Sequence, residues 1–168
     1  SRGLGDVYKR QIMNGMGSNR FQPNTQMTRA MFAQVLYALE GAPSVRGLSC
    51  PFTDAGGSWY TDAVIWAYNA GVVAGVSPTR FAPNEALTRE QMVTMLYGYA
   101  GREQALSGSD RALAGYQDQA RVSTWAREAM AWAVGTGVIA GTSATTLAPR
   151  KTGTRAEVAT VLMRFCEQ

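Results

Sequence analysis

No histidine occurs in the chain, only two cysteines do, and no apolar run approaches the roughly 18 residues that a membrane-spanning helix needs. Without histidine, zinc sites built on imidazole and a histidine-based catalytic triad are both excluded. Cys50 and Cys166 stand far apart and in no metal or redox spacing. A disulfide between them and a buried thiol at Cys166 on the last helix both remain open, with the thiol the simpler reading. Charge is also scarce, at 17% of residues against roughly 25% in an average globular domain. The formal net charge is +4, but residues 1 to 11 supply Arg2, Lys9 and Arg10 against Asp6, so the rest of the chain carries only +2. With no basic stripe, a nucleic-acid partner is not expected. A membrane span, a metal and a cofactor are not expected either. What the chain does have is 46% hydrophobic residues, enough to bury a core as one domain or as a tight set of repeats.

Self-similarity is the main signal. Ala70-Gly71-Val72-Val73-Ala74-Gly75 recurs as Thr136-Gly137-Val138-Ile139-Ala140-Gly141, with a partial copy at Ile12-Met13-Asn14-Gly15. After each copy comes a fixed series. Arg20-Phe21-Gln22-Pro23 leads to Thr28-Arg29-Ala30, Arg80-Phe81-Ala82-Pro83 to Thr88-Arg89-Glu90, and Thr146-Leu147-Ala148-Pro149 to Thr154-Arg155-Ala156. Upstream, Phe52-Thr53-Asp54 with Trp59 and Trp66 matches Tyr116-Gln117-Asp118 with Trp125 and Trp132. The chain therefore reads as three repeats, at residues 12–41, 52–101 and 116–168, the first without its front half. Linkers rich in Gly, Ser and Ala separate them. Residues 1–11 fit no part of the repeat and read as a non-native or unstructured leader.

Each unit reads as helix, loop, helix. In the second repeat, Ser58 is placed to cap a helix from about Trp59 to Ala70, with Val64, Ile65, Ala67 and Tyr68 on its buried side and Gly71 as its left-handed stop. The third repeat does the same from Ser123 or Thr124 to Thr136. The second helix of each unit begins at a capping threonine. Thr88 with Gln91 makes a capping box, Thr154 with Glu157 makes a stricter one, and Thr28 has Met31 in the acidic position, which leaves that box incomplete. Met92, Leu96 and Tyr99, and likewise Val158, Leu162 and Phe165, fall on one face. A lone two-helix unit cannot cover such a face, so the units must pack on one another.

Phe-x-Asp, a downstream Trp, Ala-Gly-Val-Val-x-Gly, Phe-x-Pro and Thr-Arg-Ala-Glu, in that order, resemble the S-layer homology domain. The hallmark stands intact at Thr154 to Glu157, with variants at Thr88 to Gln91 and Thr28 to Met31, and the resemblance covers residues 12 to 168. It implies an all-α fold in which tandem helix-loop-helix repeats form a pseudo-threefold assembly around a central three-helix bundle. It also implies grooves between repeats that bind a secondary cell-wall polymer attached to peptidoglycan, typically through a pyruvylated amino sugar. The expected role is non-covalent anchoring of an exported protein outside the bacterial cell, in the wall or S-layer, with a signal peptide and a fused cargo domain in the flanking reading frame.

The residues suit an acidic glycan. Arg29, Arg89 and Arg155 each stand in the first turn of a helix, where a cation costs about 0.3–1 kcal/mol against the helix dipole. A guanidinium beside free N–H groups is nevertheless a good carboxylate receptor. The bland alternative is that each arginine pairs with Asp54, Asp118 or a nearby Glu for structure alone. Trp59 and Trp125, close to Asp54 and Asp118, can stack on a sugar while the acid accepts hydroxyl hydrogens, or can belong to the core. Asp54 and Asp118 also suit turns or caps. Trp66 and Trp132, at mid-helix, read as core. Gly15, Gly75 and Gly141 can let a ligand approach the backbone, although a turn role is favoured. If each groove takes its Arg from one repeat and its Asp and Trp from the next, Arg29 joins Asp54 and Trp59, and Arg89 joins Asp118 and Trp125. Arg155 then has no such partners, leaving at most two competent grooves. An enzyme is disfavoured because Asp54 and Asp118 are corresponding repeat positions rather than an asymmetric acid and base. A helical protein-binding scaffold is the remaining alternative, marked by a broad exposed apolar patch.

Overall fold

The computed structural model describes residues 24–168. The leader at 1–11 and the motifs at Ile12–Gly15 and Arg20–Pro23 lie outside the described residues. Five α-helices follow one another: α1 (Arg29–Leu39), α2 (Thr61–Asn69), α3 (Arg89–Ala100), α4 (Arg127–Gly135) and α5 (Arg155–Cys166). Short 3-10 turns at Asp110–Leu113, Gln119–Arg121 and Thr124–Ala126 lie between α3 and α4. The chain is all-α, and its extended pairing among the described residues is limited to isolated bridges.

Those bridges define the symmetry. Thr28 pairs with Ala86, Thr88 with Thr152, and Thr154's segment with Gln26, so each capping segment leans on the loop of the next repeat and the third returns to the first. At the axis the residue before each cap joins a closed ring. Leu87 N–H donates to the Met27 carbonyl at 2.7 Å, Met27 N–H to Gly153 at 3.0 Å, and Gly153 N–H to Leu87 at 3.0 Å. Outside the ring, Arg29 N–H donates to Glu85, Arg89 N–H to Lys151 and Arg155 N–H to Thr25, so first-turn N–H groups that have no intrahelical acceptor are taken by the neighbouring repeat. The N-termini of α1, α3 and α5 are thereby gathered at one end, and their buried faces share one hydrophobic core.

The caps differ from expectation in detail. Thr28 accepts the Met31 N–H at 3.1 Å and donates its own N–H to Met31 Sδ at 3.5 Å, so the sulfur closes the box that the missing Glu left open. Thr88 and Gln91 close theirs at 3.2 and 3.0 Å. At Thr154 only the hydroxyl cap from Glu157 N–H forms, at 3.3 Å. The Glu157 carboxylate is turned within electrostatic reach of Arg89.

The first helices of the repeats start later than the sequence suggests. α2 begins at Thr61, and no side chain caps it. Ser58 instead donates its N–H to the Thr61 hydroxyl, which in turn donates to the Ala55 carbonyl. Gly71 and Gly137 take the left-handed stop as expected, with φ of 75° and 78°. Val64 and Ala67 are buried, but Ile65 is only half-buried and Tyr68 is exposed; Ala63 and Trp66 complete the buried face instead. The reason is that α2 packs chiefly against α1 of the preceding repeat, as α4 does against α3.

Two buried tryptophans are the wedges. Trp66 sits between Tyr37 of α1 and Tyr99 of α3, and Trp132 between Tyr97 of α3 and Phe165 of α5, all at ring separations of 5.6–6.4 Å. At the far end of the bundle Glu40 accepts from Arg102 and from the Tyr99 hydroxyl, while the Arg102 guanidinium lies over the rings of Trp66 and Tyr99. Burial, reinforced by Glu40, pushes the Tyr99 phenol up to about 12. Cys50 and Cys166 are half-buried, pack on the core and are not joined by a disulfide.

Gly98 lets the Gly71–Val72 turn press against α3, since a Cβ there would lie 2.8 Å from the Gly71 carbonyl and 3.1 Å from Val72 Cα. Gly98→Ala should therefore lower stability by about 1–3 kcal/mol, although helix propensity alone would favour it by about 1 kcal/mol. A thermal melt followed by circular dichroism measures the sign; a raised midpoint would show that this contact is not tight.

Candidate functional site

The cassette that repeats in sequence is a hydrogen-bonded unit built across two repeats. In the second repeat the turn Phe81-Ala82 presents two N–H groups, which donate to the two oxygens of Asp54, each at 2.9 Å. The Phe81 carbonyl faces the other way and accepts Arg29 Nε–H from the preceding repeat at 2.8 Å. Ala82 is held at a φ of 59°, in the left-handed region that a non-glycine residue occupies only when its surroundings enforce it. In the third repeat Asp118 accepts from Leu147 and Ala148 at 2.9 Å, Arg89 Nε–H donates to Leu147 at 2.9 Å, and Ala148 has a φ of 50°. The aspartates thus act first as turn-holding groups. Burial pushes each carboxyl up, but the paired N–H groups, helped by Arg80 at Asp54 and Arg121 at Asp118, bring both below the ordinary range.

The three arginines are buried but differently satisfied. Arg29 stacks its guanidinium 4.8 Å from the Phe81 ring centroid and uses Nε, which leaves Nη1 and Nη2 without a hydrogen-bond partner among the described residues. Burial lowers its pKa against the opposing pull of Glu85 and Asp54. Arg89 spends a second nitrogen, Nη2, on the Ala140 carbonyl, and burial lowers its pKa against Glu157, Tyr116 and Asp118. Arg155 is 0% exposed, and none of its three side-chain nitrogens finds a hydrogen-bond partner among the described residues. Burial lowers its pKa, and no acid among the described residues opposes it.

A cavity of about 430 Å³ brings three repeats together. Arg29 comes from the first, Gly75 and the Val72–Val76 loop from the second, and Trp125 from the third, with Gln91, Thr94 and Met95 of α3 as one wall. The grouping inferred from the sequence put Trp59 with Arg29; the cavity puts Trp125 there. Trp59 is 57% exposed, stands edge-on to Tyr60 and does not line this cavity. Trp125 is 59% exposed, so neither tryptophan is a core residue, whereas Trp66 and Trp132 are.

At Gly75 and Gly141 the turn itself leaves no space for a side chain, and Gly75 also lines the cavity. At Gly75, where φ is 85°, an added Cβ would meet the Phe52 ring and the carbonyls of Ser77 and Arg80. Gly141 has no positive φ, yet a Cβ there would lie 2.5 Å from the Ser143 carbonyl and 2.7 Å from the Tyr116 ring. Gly15 lies outside the described residues.

One residue that sequence reasoning passed over positions Trp125. Glu90 is buried and accepts both the N–H and the hydroxyl of Ser123, at 2.9 and 2.8 Å. This bond ties α3 to the 3-10 turn that carries Trp125. The signal was available: Glu90 stands where Ala30 and Ala156 stand in the other repeats.

The family comparison agrees with this architecture. The S-layer homology domain model matches residues 2–33, 51–93 and 115–159, and the chain belongs to that family of cell-surface anchoring modules. The first matched segment begins within the stretch read as a leader. An endoglucanase of Bacillus sp. (strain KSM-635) is 31% identical over 94% of this chain but only 16% of its own length. The S-layer protein of Bacillus thuringiensis subsp. finitimus is 26% identical over 96% of this chain and 19% of that protein, and the surface-layer 125 kDa protein of Lysinibacillus sphaericus 31% over 93% and 13%. The chain spans less than a fifth of these relatives. It matches a hydrolase and surface-layer proteins alike, as expected of an anchoring module and not of a catalytic domain. No helix among the described residues is long and apolar enough to cross a membrane.

Two expectations follow. Because the Asp118 pKa is depressed in the fold, its contribution to stability is present above the unfolded value of about 3.9 and is lost as pH falls through the lower folded value. Asp118→Asn should cost about 1–3 kcal/mol at neutral pH, with the gap to the parent closing in acid; urea titrations across that range would reveal a constant gap if the carboxylate were not the group responsible. Glu90→Ala should raise amide exchange across residues 122–126 and destabilise by about 1–3 kcal/mol, and unchanged exchange there would remove Glu90 from its positioning role.

Proposed function

We propose that the chain holds an exported protein at the bacterial surface by binding an acidic secondary cell-wall polymer, with the Arg29 groove as its principal seat. The observation that carries this is the cavity joining Arg29, Gln91 and Trp125. It offers two guanidinium nitrogens with no hydrogen-bond partner among the described residues, an uncharged amide wall and an exposed indole face. A carboxylate-bearing sugar such as a pyruvylated one needs a fork-shaped cation for its acid and a flat apolar surface for its ring. Arg89 is less available, because it already donates twice to backbone and has Glu157 within electrostatic reach. The pseudo-threefold operation that brings Trp125 to Arg29 assigns Trp59 to Arg155, so a Trp-bearing groove takes its tryptophan from the repeat that precedes its arginine around the ring. Asp54 and Asp118 then support the ligand indirectly, by holding the turns that hold the arginines. The repeat boundaries at 12–41, 52–101 and 116–168 and the presence of a larger fused cargo belong to the same reading.

The test is a pull-down on purified cell-wall sacculi before and after mild extraction of the secondary polymer. Binding should be lost on extraction, and undiminished binding afterwards would sink the reading. Arg29→Ala should weaken binding about tenfold or more, as loss of a charge-assisted hydrogen bond implies. Trp125→Ala should weaken it more than Trp59→Ala; the opposite order would return the groove to the pairing inferred from sequence.

A further inference from the structure

The turn before each second helix gives its carbonyls to the first N–H groups of a neighbouring helix, but the charge on its side chains differs between the described repeats. In the second repeat, Pro83 and Glu85 accept the first N–H groups of α1, and this segment carries Asn84 and Glu85. An acid there complements the positive end of the helix. In the third repeat, Pro149 and Lys151 accept the corresponding N–H groups of α3, but the same positions hold Arg150 and Lys151. Two cations now stand over a helix N-terminus whose first residue is Arg89. Both are exposed, as is Arg121, and all three line a cavity of about 310 Å³ together with Asp118 and Thr146. Asp118 is the acid lining that cavity, and both its oxygens are engaged by the Leu147 and Ala148 N–H groups. The cavity therefore has three cations, one already satisfied carboxylate and a size at the ~300 Å³ lower bound of small-ligand clefts. Nothing in the turn's structure requires this charge, since the second repeat builds the same turn with Asn and Glu.

We propose that Arg121, Arg150 and Lys151 form a second anion subsite, separate from the Arg29 groove, which takes an oxyanion borne along a polymer. The chemistry is that of a phosphodiester or a sugar carboxylate. For its natural ligand the subsite rests on the wall-polymer reading; for its anion chemistry it does not. It makes surface binding strongly salt-dependent, because these cations are exposed and screened, unlike the buried Arg29.

The experiment titrates the full chain with labelled poly(glycerol phosphate), polygalacturonate and neutral dextran at ionic strengths on either side of ~0.15 M. The variant is the double exchange Arg150→Asn with Lys151→Glu, which installs the second repeat's own residues, combined with Arg121→Ala. The parent should bind at least one polyanion and not dextran; which polyanion it prefers tells phosphate from carboxylate. The variant should bind that polyanion about tenfold more weakly at low salt, with a flatter salt dependence. Its circular-dichroism spectrum should match the parent's, since Asp118 keeps its hydrogen bonds to the Leu147 and Ala148 N–H groups and so still holds the turn once Arg121 is gone. Equal affinity and salt slope in parent and variant, or equal binding of dextran and polyanions, overturns the subsite. Retention on sacculi is scored separately: a parent that fails to bind sacculi overturns the wall-polymer reading while the polyanion titration still decides the subsite.

Discussion

Three backbone hydrogen bonds around one axis hold the rest of the structure in register. Met27, Leu87 and Gly153 donate in a closed cycle, each immediately before a capping threonine. Because a helix starts at the next position, closing the cycle fixes the starting point of α1, α3 and α5 relative to one another. It also brings the first turn of each helix against the loop of the next repeat. Backbone N–H groups that would otherwise need water find carbonyls there, so the ends of the helices are satisfied by assembly. The ring is polar and buried, and it is stable only when all three members are present.

The misplaced arginines make sense on this frame. A cation at a helix N-terminus opposes the dipole, yet Arg29 and Arg89 extend away from their own helices to the carbonyl of a turn in the following repeat. That turn is strained at Ala82 or Ala148, and an aspartate holds its other side. Arginine, turn and aspartate form one unit in which each charged group satisfies backbone that the turn exposes. The structural and ligand-binding readings of these residues are therefore not rivals. At Arg29 the same side chain locks the turn through Nε and lines the cavity.

Much of the fold was legible because it is encoded locally. Capping threonines, left-handed glycines after the first helices and the apolar face of each second helix depend on residues within one or two turns of each other. Repetition then multiplied a weak local signal into a specific one. The details that failed were those set by partners distant in sequence. Tyr68 and Ile65 were assigned to a buried side from apolar pattern alone, which does not fix the face that α2 turns to α1 of the preceding repeat. Met31 closed a capping box through sulfur, and Glu157 left one half-open while lying within electrostatic reach of Arg89.

By itself the sequence determined the helical repeat, the capping threonines of its second helices, the glycine stops of its first helices, the family and the residue types that could meet an acidic sugar, since all of these rest on short-range periodicity and spacing. Only the tertiary structure decided which of those residues meet. Arg29 and Trp125 are brought to one cavity by rotation about the pseudo-threefold axis, and no spacing within a repeat encodes that rotation. Likewise Glu90 gained its role only when a segment of the third repeat arrived to receive it. Contacts across the ring are fixed by closure of the whole assembly, which is why the tryptophans changed partners while the order of the helices held.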